Sequence, residues 1–347
     1  WRPLQAHRLA SPARSRSKIV GGGGDHGVSP PEEYADIITD MPAITVRAGH
    51  LMRQWQGAWL PHRRVPGVLS FQRRFTPRPD DVLLASPPKC GTTWLKALSF
   101  ATMARAAYPP GDGDHPLLRL NPHDCVPLVD SLFSAGQETK LDALPSPRLM
   151  NTHVHHSLLP PSVAHSPGCK IVYVCRETKD MLVSLWHFYK SSETTDGSTY
   201  TFSDLFENAC EGKHSNGPIW DHILGYWPAS QATPGRVLFL RYEEMLRDPV
   251  DNIRELARFL GVPSMVTEEA AGLLEDIVKL CNIEMLKGVS ADKMCANGGL
   301  CQVPAYIFLR EGGGRRLGEP YDAGDGTTLQ CHCGGKASWV RLVFEVL

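Results

Sequence analysis

The 347 residues carry 36 Lys plus Arg against 37 Asp plus Glu, a net charge of −1, and are 42% hydrophobic and 8% aromatic. That much apolar sequence builds a real core in one large α/β domain or two small ones. The charge balance argues against a chain made globally for nucleic acid or an acidic membrane surface, so any anionic ligand must be met locally. No apolar run approaches the roughly 20 residues of a membrane helix, and the first residues lack the apolar segment of a secretory signal. The expectation is a soluble, cytoplasmic protein with neither a nucleic acid nor a membrane as partner.

Residues 1–30 contain Arg2, Arg8, Arg14, Arg16 and Lys18 with no acid before Asp25, followed by four glycines. They read as a disordered or mispredicted N-terminal extension, with an Arg- and Ser-rich transit peptide as the alternative. From residue 31 the pattern turns regular. Apolar runs in "DVLLAS" from Asp81, "RLMNTHV" from Arg148, "KIVYVCR" from Lys170 and "RVLFLRY" from Arg236 predict strands. Helical spacing predicts helices over 92–103, 180–189, 202–210, 218–227 and 250–260, the last ended by Gly261 and Pro263. This alternation is the βαβ rhythm of an α/β fold with a central parallel sheet flanked by helices. Its ligand site is expected beyond the carboxyl ends of the strands. The ten cysteines are scattered through hydrophobic runs of a long chain, which reads as reduced core thiols. Cys331, His332 and Cys333 have no common zinc spacing, so no metal is expected.

The loop "PPKCGTTW" after the first of these strands is the strongest local signal. Gly91 lets a backbone approach a ligand closely, and Thr92 and Thr93 open a helix. Free N–H groups, the positive end of the helix dipole, two hydroxyls and the Lys89 ammonium therefore converge on an anion. It is not the usual triphosphate loop, because Lys89 precedes the glycine. Arg176 leaves the strand "KIVYVCR", and Ser184 lies eight residues further on in a helix. Together they can hold a phosphate; the alternative makes Arg176 a partner of Glu177 or Asp180. His153 ends "RLMNTHV", where a general base would meet a ligand, although a lone histidine there also reads as structural. The aromatic stretches "QWQGAWLP" and "LWHFY" are candidates for an apolar acceptor pocket, or for core.

"PKCGTTWLKAL", "NPHDCVP", "PSPRLMNTHV", "VYVCRETKDMLVSLWHF" and "LFLRYEEM" occur in this order, and the pattern closely resembles the plant-type soluble cytosolic sulfotransferases over residues 31–312. The resemblance implies a single P-loop-like domain. It also implies 3′-phosphoadenosine 5′-phosphosulfate (PAPS) as co-substrate, without a metal, and a small, mostly apolar hydroxyl acceptor as partner. In the family the residues matching Lys89, Cys90, Gly91, Thr92, Thr93 and Trp94 bind the 5′-phosphosulfate side of the donor, with Trp94 near the adenine. Those matching Arg176 and Ser184 grip the 3′-phosphate, Tyr242 reaches the adenine, and His153 matches the catalytic base beside Lys89. Arg310, Glu311 and Gly312 match the start of a further 3′-phosphate segment.

The chain departs from the family in four places. Cys90 stands where serine is commonest, and Asn282 and Ile283 replace a Ser and a Phe that help to fix the adenine. Glu311 brings a negative charge where lysine is usual. After "IFLREGG" the expected closing segment over the donor is missing, and the chain reads "GRRLGEPYDAGDG". Back-translated from Gly314 with allowed codons and read one nucleotide later, it gives "AGDWANHMTPEM", the family's own ending. A frameshift near Gly313 or Gly314 is therefore expected, with residues 313–347 an aberrant tail. An active sulfotransferase and a non-catalytic nucleotide-binding pseudoenzyme are the two functions this leaves.

Overall fold

The computed structural model describes residues 32–46, 50–191 and 200–290. Its first sheet is antiparallel and was not foreseen from the sequence: β1 (Ala43–Val46), β2 (His50–Trp55) and β3 (Ala58–Pro61) pair in that order. Gln56 and Gly57 join β2 to β3 with φ of 46° and 87°. Two successive positive φ values match the right-handed twist of a hairpin, and this is what a glycine supplies here. "QWQGAWLP" is thus a hairpin. Trp59 is buried in the core and pairs through its backbone with Gly217, while Trp55 Nε1 donates to Gln72 Oε1 at 2.9 Å. Strands this short, with only half of β1 facing inward, leave too weak an alternation to read.

The four expected strands form one parallel sheet. β4 (Val82–Ala85), β5 (Leu149–Thr152), β6 (Lys170–Cys175) and β7 (Val237–Arg241) lie in the order β5-β4-β6-β7. Side chains alternate between two cores. Leu83, Ala85, Ile171, Tyr173 and Cys175 face one, and Val82, Leu84, Val172 and Val174 face the other. Burial on both faces is why these strands read as unbroken apolar runs. Because the chain goes from β4 to β5 on one side and then to β6 on the other, the strand order reverses beside β4. A crevice opens at such a switch, at the carboxyl ends of β4 and β6. At the opposite end, the buried Arg148 donates to both oxygens of the buried Asp81, at 2.8 and 2.5 Å, and ties the start of β5 to that of β4. Removing one partner of such a pair costs about 3–5 kcal/mol.

The helices form where expected, with ends differing by a few residues: Thr92–Ala104, Thr178–Ser191, Phe202–Cys210, Ile219–Ala232 and Pro249–Leu260. In the last, Asp248 caps the first turn by accepting from Asp251 N at 3.1 Å, and Gly261 ends it with φ of 83°. Ile253, Leu256, Ala257 and Leu260 form its buried stripe, and it packs on the Thr92–Ala104 helix. The short helices at Val266–Ala270, Leu273–Leu280 and Ile283–Ser290 are additions to the sequence reading. Asn282 opens the last of them, its Oδ1 accepting from Glu284 N at 2.9 Å.

Candidate functional site

The crevice at the ends of β4 and β6 collects the residues expected there. The loop after β4 turns at Lys89, φ 68°, and again at Gly91, φ 91°, from which the Thr92–Ala104 helix starts. A left-handed Gly91 is required twice over, since a Cβ there would also stand 2.5 Å from the Tyr242 ring. That ring is a floor shared by the loop and Arg176. Trp94 meets it edge-on at 5.8 Å, and the Arg176 guanidinium lies 4.8 Å above its centre. Arg176 leaves β6 and pairs with Asp180 at 3.6 Å, as the alternative from the sequence had it. Its Nε is nevertheless buried with no partner among the described residues, which suits an incoming oxyanion. Ser184 sits half-buried on the Thr178–Ser191 helix.

Cys90 is expected with the loop residues on the 5′-phosphosulfate side of the donor, but its side chain turns away from the loop. Its side chain is fully buried in the core beside Cys175, and burial pushes the thiol up. Only its backbone belongs to the loop, so a thiol in place of a hydroxyl costs the cradle little. Burial also drives the Cys175 thiol up to about 12. The Lys89 Nζ stands 4.9 Å over the Phe188 ring, which brings one residue of "LWHFY" to the site, while Trp186 is buried against Tyr200 and Phe202.

His153 follows β5 and lies one strand away from this loop. Its Nδ1 donates to the Ser86 carbonyl at 2.8 Å. A carbonyl can only accept, so Nδ1 carries the proton and Nε2 keeps a lone pair. Nε2 has no hydrogen-bond partner among the described residues and is not closed off from solvent. Burial holds the imidazole down to about 4, helped by Arg64 and Lys96. The Asp130 carboxylate and the Ser86 carbonyl pull the other way. The His153 imidazole is therefore uncharged at neutral pH.

Long-range bonds hold that histidine in place. Its own carbonyl accepts from Asn216 Nδ2 at 2.7 Å and from His222 Nε2 at 3.1 Å, and Tyr173 OH donates to His222 Nδ1 at 3.2 Å. The Thr152 hydroxyl donates to Asp130 Oδ1 at 3.1 Å and accepts from Val154 N at 3.2 Å, bracketing His153. Asp130 in turn faces Arg64 at 3.7 Å. None of Asn216, His222, Asp130 or Arg64 was singled out from the sequence. No spacing signal marks them, because each is 23 or more residues from His153 along the chain. His123 and Lys96 were likewise overlooked, although both stand inside quoted motifs.

Among the described residues no His, Cys, Asp and Glu side chains group to hold a metal, and no helix is long and apolar enough to cross a membrane. Arg310, Glu311, Gly312, the Cys331–His332–Cys333 cluster and the frameshift expectation lie outside the described residues.

Comparison with known proteins bears on the family and the fold. A sulfotransferase domain family matches residues 79–310. Cytosolic sulfotransferase 12 of Arabidopsis thaliana is 43% identical over 301 residues, 86% of this chain and 89% of the relative. Flavonol 3-sulfotransferase of Flaveria bidentis is 40% identical over 74% of this chain and 82% of its own. A crystal structure of an Arabidopsis thaliana sulphotransferase, 36% identical, superposes with a TM-score of 0.65 over 82% of this chain and all of that one. With its P-loop-like parallel sheet and its ordered motifs, this chain belongs to the sulfotransferase family, among the plant-type cytosolic sulfotransferases.

Proposed function

We propose that this sulfotransferase moves the sulfuryl group of PAPS to the hydroxyl of a small, mostly apolar acceptor, using His153 as base and Lys89 as the cation at the leaving phosphate oxygen. The domain that does so is taken as residues 31–312, working in the cytoplasm. The observation that carries the reading is the His153 Nδ1 bond to the Ser86 carbonyl, which leaves an unprotonated Nε2 one strand from the Lys89 loop.

His153 Nε2 takes the acceptor's proton as the acceptor oxygen bonds to sulfur. Lys89, with the N–H groups at the start of the Thr92–Ala104 helix, meets the charge that stays on the phosphate oxygen when its bond to sulfur breaks. As in phosphoryl transfer, in-line positioning and electrostatic stabilisation together supply most of the acceleration. Arg176, through its buried Nε, and Ser184 are assigned to the 3′-phosphate. Trp94 and Tyr242 are assigned to the adenine, and Phe188 to the acceptor's apolar body. The name of the Flaveria bidentis relative makes an aromatic hydroxyl compound the first acceptor to try.

The test is turnover of parent and His153→Ala with such acceptors, together with calorimetry of 3′-phosphoadenosine 5′-phosphate. Loss of turnover with unchanged nucleotide affinity is expected, and equal turnover removes His153 as base. The charge of Glu311 and the sequence after Gly312 favour a second reading, a non-catalytic nucleotide-binding protein. That reading predicts binding without turnover in the chain as given, and turnover once "GDWANHMTPEMA" is restored.

A further inference from the structure

Behind the anion loop stands a chain of side chains that the mechanism above does not use. Lys96, on the second turn of the Thr92–Ala104 helix, is 1% exposed although it is a lysine. Its Nζ lies 2.9 Å from the Val126 carbonyl and 3.0 Å from His123 Nδ1. The other nitrogen of that ring, Nε2, lies 3.0 Å from the Thr93 hydroxyl. Asn121 seats the histidine by capping its short helix, Oδ1 accepting from His123 N at 2.9 Å.

The directions of these bonds follow from the chemistry of the groups. An ammonium only donates, so His123 Nδ1 must accept, and the ring's single proton sits on Nε2. Nε2–H then donates to Thr93 Oγ1. The hydroxyl, its acceptor side engaged, is left with one proton to give. It carries no further bond to a described residue, and it sits at the start of the helix, where the anion is expected. Polarisation runs the same way, since each donor strengthens the next along a hydrogen-bonded chain. The neighbourhood agrees: burial and the nearby Lys96, His153 and Lys89 all hold the His123 imidazole well below its usual range, so it stays neutral and cannot become a double donor.

We infer that Lys96 and His123 are positioning residues that fix the Thr93 hydroxyl as a hydrogen-bond donor to the 5′ anion of the nucleotide. This rests on the donor reading above and specifies how one hydroxyl of the loop is aimed. It also explains why a lysine is buried in an otherwise uncharged helix: its charge acts on the site through the ring. Removing any one of the three side chains weakens the same contact, and no other part of the nucleotide is affected.

Two nucleotides separate this from a structural role: 3′-phosphoadenosine 5′-phosphate, and adenosine 3′-phosphate, which lacks the 5′ anion. In calorimetry, Thr93→Val, His123→Phe and Lys96→Met should each weaken the first by about tenfold and change the second by less than about twofold. Lys96→Met combined with Thr93→Val should lose no more than Thr93→Val alone, because the chain has a single output. His123→Gln, whose amide can accept from Lys96 and donate to Thr93, should recover most of the affinity. Nitrogen-15 NMR of the parent should find His123 protonated on Nε2, a measurement that stands even if Lys96→Met does not fold. Equal weakening of both nucleotides in folded variants, no weakening of either, or a His123 protonated on Nδ1 would overturn the inference. A parent that binds neither nucleotide instead overturns the donor reading itself, and the relay with it.

Discussion

The two halves of the site are built on opposite principles. The anion half, around Lys89, Gly91, Thr93 and Arg176, is short-range and cationic: most of its groups come from one loop and the first turn of the helix that follows. The base half, around His153, is long-range and neutral. Its bonds come from Ser86, Asn216 and His222, each more than 60 residues away, and burial keeps the ring uncharged. A loop can present charge to a ligand because free N–H groups and an ammonium need only local geometry. A base must be aimed and kept neutral, which needs the packed interior of the whole domain.

The largest effect should come from the residue that stands between the halves. Lys89→Ala is expected to lower kcat by about 10²–10³-fold and also to weaken 3′-phosphoadenosine 5′-phosphate, since its proposed role puts it at the leaving group in both states. A loss of kcat with nucleotide affinity intact would move Lys89 out of the anion half.

Next come the bonds on the His153 carbonyl. Asn216→Ala and His222→Phe should each lower kcat by about tenfold, leaving nucleotide affinity unchanged, because they loosen the aim of the base and touch no phosphate. If nucleotide binding fell in step, the two halves would not be independent, and the division drawn above would fail.

Acid should act through the buried neutral histidines, which stand behind both halves. His115, His153 and His214 are held down to about 4 by burial, whereas in the unfolded chain they protonate near their ordinary 6.5. The unfolded state therefore binds more protons between these values. Stability should be flat above about pH 6.5 and fall as the pH drops toward 4. Urea unfolding across that window measures it, and a midpoint independent of pH would show that these histidines titrate normally.

The smallest effect is a displacement of the pH profile. The Asp130 carboxylate raises His153, so Asp130→Asn should lower its pKa further and move the acid limb of kcat/KM to lower pH by about half a unit or more. A limb that moves to higher pH would mean that the charge acts on another group.

Much of this protein follows from its sequence alone, and the reason is locality. A parallel strand buried on both faces is a continuous apolar run, so β4, β5, β6 and β7 were legible, as was the Pro249–Leu260 helix with its 3.6-residue stripe and terminal Gly261. The loop from Lys89 to Trp94 carries its glycine, hydroxyls and cation within six residues, so its chemistry can be read without a fold. Only the tertiary structure decided what surrounds His153. A backbone carbonyl's partners and a ring's tautomer are set by groups that meet once the chain has packed, and nothing in the spacing of Ser86, Asp130, His153, Asn216 and His222 records that meeting. Packing also decided that the Cys90 thiol faces the core, that Lys96 is buried, and that Tyr242 lies under both Gly91 and Arg176. Burial is a property of a place in the folded domain, and a residue's type states only the cost of putting it there.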